Sequence, residues 1–326
     1  MKKSVKTALI IGGTVIAAAV ASTLAASRVL VSVAVKRKIV KFPEKIQDKL
    51  TGGLISDPNA KAIVEAGKKA SFLATESTEI VGHDGTRLKG RIYYAETPER
   101  IIVAMHGWRS TWQNDFGSTV SFYHDNGCTV IFPDQRAQNE SGGDYIGFGV
   151  LERHDCLLWV KYAVERFGKD IPIYLCGVSM GATTVLMTAG FELPENVKGI
   201  IADCGFTSPH DIWEHVLKNN LHLSSRITYP IANYICKKEA NFDGEEYSTI
   251  EALQSNEIPV LLIHGSSDRF VPLEMTFNNY LATKGKKELL IVPGAGHGMS
   301  YVIDPKSYEK AIKGFFEKCE VSGFDD

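Results

Sequence analysis

The sequence predicts an α/β fold, a mostly parallel sheet with helices on both faces and a small helical cap. Three observations lead there. Six apolar, β-branched runs, at residues 101–107, 128–134, 171–179, 197–205, 258–265 and 287–294, alternate with longer helical stretches. Strands without a polar face belong to a parallel sheet buried on both sides. Two shorter runs flank Asp84-Gly85, a strong hairpin signal, at the front of this pattern. One segment, residues 209–257, breaks the alternation, reads as partly helical and is rich in large apolar residues. It fits a cap inserted over the carboxyl edge of the sheet.

Taken in order, the N-terminus differs in kind from the rest. From Thr7 to Ser27 there is no charged residue. Twenty-one helical residues rise about 31 Å, close to the hydrocarbon thickness of a bilayer. Lys2, Lys3 and Lys6 precede the run, and Ala19-Val20-Ala21 offers a signal-peptide cleavage site. The run exceeds a usual signal core and apolar character resumes after Arg28, so an uncleaved anchor is favoured over a removed signal. A basic stretch from Lys36 follows and reads as a solvated linker able to meet anionic headgroups. Residues 57–70 read as a short helix. The expected organisation is an anchor or signal segment over 1–35, a basic linker and short helix over 36–72, and one globular α/β domain over 73–320 with its cap at 209–257. A chain begun near Asp57 is expected to be soluble and active.

Composition narrows the partners. With 326 residues, 44% hydrophobic and 23% charged, the chain can bury one large core. A net charge of -2 gives no surplus of cations for nucleic acid. The six cysteines, at 128, 156, 176, 204, 236 and 319, form no C-x-x-C pair and no disulfide framework. Several sit in apolar runs and read as buried, reduced thiols.

The chemistry is carried by Gly177-Val178-Ser179-Met180-Gly181, a G-x-S-x-G pattern. Such a short pattern arises by chance often enough that its setting must support it. A strand runs into it and a helix leaves it, as the sharp turn that exposes a nucleophilic serine requires. A serine hydroxyl needs a base to take its proton, and the base needs an acceptor to hold its tautomer. His297 follows one strand in Pro293-Gly294-Ala295-Gly296-His297-Gly298, and Asp268 follows another in His264-Gly265-Ser266-Ser267-Asp268. The order Ser, acid, His suits this architecture. Asp203, at another strand end, competes for the acid role. His264 is read as structural, and Asp134 with Arg136 as a brace for nearby loops. His106-Gly107-Trp108 occupies the loop that supplies an oxyanion-hole amide, so the expected donors are the backbone N–H groups of Trp108 and Met180.

The motifs HGW, PDQRAQNESGGD, GVSMG, IPVLLIHGSSDRFVP and GAGHG resemble the α/β-hydrolase superfamily, in its serine-esterase, lipase and S33-aminopeptidase-like branch. The resemblance covers about residues 75 to 319 and looks most like membrane-attached bacterial members, cinnamoyl-esterase-like ones among them. It implies an eight-stranded, mostly parallel sheet, no metal and no organic cofactor, and it carries Ser179, Asp268 and His297 over as a triad. PDQRAQNESGG departs from the Arg-Gly-His-Gly-x-Ser of many relatives at a loop bordering the pocket, which bears on substrate class.

The expected activity is hydrolysis of a carboxylic ester or thioester through an acyl-enzyme on Ser179. Peptide cleavage by the same triad is the alternative, and an inactive binding module stands behind both. The expected partners are a small acyl substrate and membrane lipid. Lys2, Lys3 and Lys6 favour an exported catalytic domain tethered to the membrane. Arg28, Lys36, Arg37, Lys38 and Lys41 pull toward the cytoplasm. The balance falls on a single-pass cell-membrane protein facing outward.

Overall fold

A computed structural model describes residues 21–38, 43–322 and 324. Eight strands form one sheet: β1 (Glu76–Val81), β2 (Arg87–Tyr93), β3 (Arg100–Met105), β4 (Cys128–Pro133), β5 (Ile173–Val178), β6 (Val197–Asp203), β7 (Val260–Gly265) and β8 (Lys287–Val292). Their order is β1-β2-β4-β3-β5-β6-β7-β8. The hairpin β1–β2 joins β4 antiparallel, and every later pairing is parallel. This is the expected sheet.

Alternation along the buried strands divides the core. Ile101, Val103, Met105, Ile173 and Leu175 meet the helices of one face. There lie α6 (Glu152–Phe167), α7 (Met180–Thr188) and α10 (Thr249–Ser255), the last closed by a Ser248–Glu251 capping box. Ile102, Ala104, Tyr174 and Cys176 meet the other face. It is covered by α5 (Val120–Asp125) and α13 (Pro305–Glu317), the latter started by Pro305 with Asp304 as cap. All six cysteines are free, five of them buried.

A third cluster stands over the carboxyl ends of the strands and positions the site. It joins Met180 and Met187 of α7 to α8 (Pro209–His215), a π-type turn at Val216–Asn220 and α9 (Ser225–Glu239). The remaining helices are α1 (residues 21–34), α2 (Glu44–Leu50), α3 (Ala60–Ala70), α4 (Trp112–Phe116), α11 (Leu273–Ala282) and α12 (Ser300–Ile303). Helix α3 starts later than expected because Asp57 Oδ1 accepts the Asn59 N–H and holds a turn there. Helices α4 and α5 occupy a stretch to which the sequence assigned no element.

The N-terminal segment departs most from expectation. Val31, Ala34 and Val35 are buried in the third cluster, and Ser27 is fully buried with Oγ on the Thr228 carbonyl. Val35 O accepts from Ile146 N–H, and Arg37 N–H donates to Asp144 O. Lys36 pairs with Glu239 at 2.8 Å. Farther on, Leu50 O accepts from Asn220, and Gly52 lies so close to Arg269 that a Cβ would stand 2.7 Å from its backbone. The stretch read as a solvated linker is therefore packed onto the catalytic domain at 36–37 and 50–52, leaving residues 39–42 outside the described residues. Most of the uncharged Thr7–Ser27 run also lies outside them. Among the described residues no helix is long and apolar enough to cross a membrane.

Candidate active site

Ser179 stands between β5 and α7 with φ 56° and ψ -120°. A non-glycine residue in that region is strained by roughly 1–3 kcal/mol and persists only where its surroundings enforce it. Here both neighbouring glycines are obligatory. A Cβ on Gly177 would meet Gly181 O at 2.2 Å, and one on Gly181 would meet Met105 O at 1.9 Å. The elbow thus lies hard against the end of β3, and the Ser179 N–H is held by Asp203 O at 2.8 Å.

The three side chains singled out in the sequence come together. Ser179 Oγ is 2.8 Å from His297 Nε2, and His297 Nδ1 is 2.6 Å from Asp268 Oδ2. Asp268 Oδ1 accepts the N–H groups of Phe270 and Val271 at 2.8 and 2.9 Å. Burial alone would raise the Asp268 carboxyl, but His297 and His264 beside it hold it well below the usual carboxylate range. An ionised carboxylate only accepts, so His297 Nδ1 carries the proton and Nε2 is free to accept from the serine hydroxyl. Burial pulls the His297 pKa down, yet contact with Asp268 and the charges of Asp203 and Asp115 leave it raised.

The rivals occupy other places. Asp203 is buried and takes the Ser300 hydroxyl at 3.1 Å; burial pushes its carboxyl up to about 6. Among the described residues it makes no hydrogen bond to His297. His264 Nε2 lies 3.0 Å from Val271 O and 3.3 Å from Asp268 Oδ2, and Nδ1 lies 2.6 Å from Thr276 Oγ1. It braces the loop that carries the acid. His106 is spent within its own loop, Nδ1 at 2.8 Å from Gly107 O and Nε2 accepting from Gln135 N–H at 3.0 Å. Arg136 braces as expected, but onto Asp155 and Asp84 rather than with Asp134.

The loop after β3 runs beside the serine, since a Cβ on Gly107 would lie 3.3 Å from Ser179 Cβ. Among the described residues no acceptor engages the N–H of Trp108 or of Met180. Both expected oxyanion donors are thus unspent. Residues that sequence reasoning missed hold this loop in place. Asp115 accepts from Gly107 N–H and from Ser110 Oγ, each at 2.6 Å. Gln138 Oε1 accepts the Arg109 N–H. The Arg109 guanidinium grips Val33 O and Lys36 O, and Trp108 Nε1 donates to Ala34 O at 2.8 Å. Phe270 sets its edge to the His297 ring, centroids 5.0 Å apart. Arg109, Ala137, Asn139, Phe148, Ser179 and Cys204 all have positive φ, a concentration of backbone strain in the loops around the serine.

The arrangement has the chemistry of acyl transfer, and comparison with known proteins agrees. The family model described as "Prolyl oligopeptidase family" matches residues 114–321, well over half the chain. The chain belongs to the prolyl oligopeptidase family. This agrees with the expected α/β-hydrolase superfamily of serine hydrolases. The prolyl oligopeptidase match makes the protein a serine hydrolase. The Bacillus subtilis (strain 168) protein YqkD is 29% identical over 227 residues, 70% of this chain and 74% of its own. Escherichia coli (strain K12) YfhR is 25% identical over 232 residues, 69% and 74%. Among solved structures, the Pyrococcus furiosus esterase Pf2001 superposes with TM-score 0.61 at 20% identity, covering 77% of this chain and 92% of that one. The Pyrococcus horikoshii acylaminoacyl peptidase gives 0.61 at 17% identity, over 82% and 45%. At such identities the likeness speaks for the fold.

Proposed function

We propose that the protein hydrolyses a carboxylic ester or thioester carrying an apolar acyl chain. Ser179 attacks the carbonyl and His297 takes its proton and returns it to the leaving group. Asp268 steadies the imidazolium, and the N–H groups of Trp108 and Met180 receive the oxyanion. Water then releases the acyl-enzyme by the same route.

One observation favours an acyl ester over a peptide. An apolar pocket of about 50 Å³, open to solvent at its mouth, adjoins the loop of Trp108 and the ring of Phe270. Its lining includes Ile212, Trp213 and Val216 from segment 209–257, and no charged side chain that would hold a peptide's terminal ammonium. In this reading that segment is the cap, with Ile212, Trp213 and Val216 as its pocket residues. Leu217 and Tyr229 are packed inward, while Leu223 and Tyr234 are exposed. Peptide cleavage by the same triad is the second reading, favoured by the description of the matched family. To separate them, kcat/KM is measured on an octanoyl ester and on the matching amide. Hydrolysis of the ester with no detectable amide turnover is expected, and amide turnover within tenfold of the ester overturns the ester reading.

We also propose that the uncharged run ending at Ser27 anchors the chain in the cell membrane with the catalytic domain outside. Exposed Leu24, Val29 and Ile227 surround the point where α1 meets α9 and support a lipid-facing patch. Leu30 at the cavity is less than one helical turn beyond Ser27, roughly 5 Å along the axis, which suits a substrate taken from lipid. Resistance to carbonate extraction tests the anchor. Digestion of the catalytic domain by protease on intact cells tests its side, and survival there would place it inward.

A further inference from the structure

The wall of that cavity is shared by two parts of the chain that sequence reasoning kept apart. Leu30, Val33 and Ala34 of α1 face Trp108, Phe148 and Phe270 across the same space. Trp108 belongs to the loop beside Ser179, and Phe270 both abuts the His297 ring and gives its N–H to Asp268. The cavity therefore adjoins the residues that flank Ser179 and His297, though the triad itself does not line it.

The same turn of α1 is also locked to the oxyanion loop through backbone carbonyls. Ala34 O accepts from Trp108 Nε1, Val33 O from Arg109 Nε and Nη2 at 3.1 and 2.8 Å, and Lys36 O from Arg109 Nη2 at 2.6 Å. Val33 O and Ala34 O lie in the last turn of α1, where carbonyls lack intrahelical partners, and Lys36 O lies just beyond it. Arg109 sits at φ 51°, a conformation this grip helps to hold. On the far side Arg37 donates to Asn139 O at 2.9 Å, binding the segment to the strained loop that follows β4.

We propose that residues 30–36 are a working part of the active site. They form one wall of the channel that takes the substrate's acyl chain, and they position the loop bearing the Trp108 N–H. The proposal rests on the reading of Ser179 as an acyl-transfer nucleophile. Leu30, Val33 and Ala34 then set chain-length preference, because a cavity discriminates methylenes by whether they find a wall or a void.

The test compares kcat/KM of the full chain and its variants on acetyl, octanoyl and dodecanoyl esters. Ala34→Trp fills the channel and is expected to lower the octanoyl-to-acetyl ratio by about tenfold or more, the scale on which a hydrophobic pocket rejects a misfit. Leu30→Ala opens it and is expected to raise the dodecanoyl-to-octanoyl ratio several-fold, a gain that a misfolded variant would not show. Phe72→Ala, at an exposed side chain away from the channel and the lipid-facing patch, is expected to leave both ratios at the wild-type values. Active wild-type enzyme with Leu30→Ala at the wild-type ratio overturns the proposal. A wild-type chain that hydrolyses no acyl ester overturns instead the ester reading beneath it.

Discussion

The indole N–H of Trp108 donates to the carbonyl oxygen of Ala34 at 2.8 Å, which ties the loop beside Ser179 to the N-terminal helix. The catalytic domain therefore does not end where its hydrophobic sheet ends. A chain begun at Asp57 would lose Val31 and Val35, exposed by 1% and 0%. Full burial of each contributes about 1.5–3 kcal/mol. The truncated chain is expected to melt on the order of 10 °C lower than the full chain. Its kcat/KM on octanoyl esters is expected to fall as well. Differential scanning calorimetry checks the first, and unchanged melting would show that the docked segment contributes nothing.

Asp268 and Asp203 separate in their contacts with His297. Asp268→Asn keeps the shape of the site but loses the carboxylate that fixes the imidazole tautomer, and turnover is expected to fall on the order of 10⁴-fold. Asp203→Asn keeps an acceptor for Ser300 and is expected to cost turnover less than about tenfold. Its stability should change in the opposite direction. The folded state holds a proton on Asp203 up to about 6, against an ordinary 3.8, so the stability this group contributes is present below pH 4 and lost as pH rises toward 6. At pH 8 the Asn variant is expected to be more stable than wild type, by at most about 3 kcal/mol. Denaturant titrations at pH 5 and pH 8 read the difference.

The pH profile reports on His297. It must be neutral to accept the Ser179 proton, and its pKa is raised above the ordinary 6.5. The acid limb of kcat/KM is therefore expected above pH 6.5, with activity lost as pH falls through it. Asp268→Asn removes the nearest charge that sustains the shift, so the limb of the residual activity should move to lower pH. A limb that stays fixed would point to another group.

The elbow can be tested through its glycines. Gly181→Ala places a methyl 1.9 Å from Met105 O, a backbone atom that cannot yield cheaply. Loss of soluble, folded protein is expected, measured by expression yield and circular dichroism, whereas Gly314→Ala, with no atom within 4 Å of the added carbon, should fold normally.

Much of this was legible in the sequence for physical reasons. The runs ending at Val178 and Gly265 are apolar on both faces, as a covered parallel strand requires. The edge run ending at Val292 opens on Lys287 and Glu288 and is half-buried. Ser179, Asp268 and His297 follow these three strand ends, so their meeting required only the topology. The docking of residues 27–37 was not legible. VLVSVAV has the same composition whether it faces lipid or the interior of a cap. Its fixation runs through carbonyl oxygens of Val33, Ala34 and Lys36, which leave no mark on side-chain pattern. Asp115 and Gln138 act on backbone N–H groups of a loop whose conformation had to be seen first.

The central claim is that Ser179 is the nucleophile. A fluorophosphonate reacts with a serine hydroxyl only where a base has activated it. The wild-type chain is expected to take up one such label, on the peptide containing Ser179, and to lose ester hydrolysis in proportion. Ser179→Ala is expected to stay folded, to remain unlabelled, and to fall about 10⁴–10⁶-fold in turnover. Full labelling of the Ser179→Ala chain would contradict the assignment.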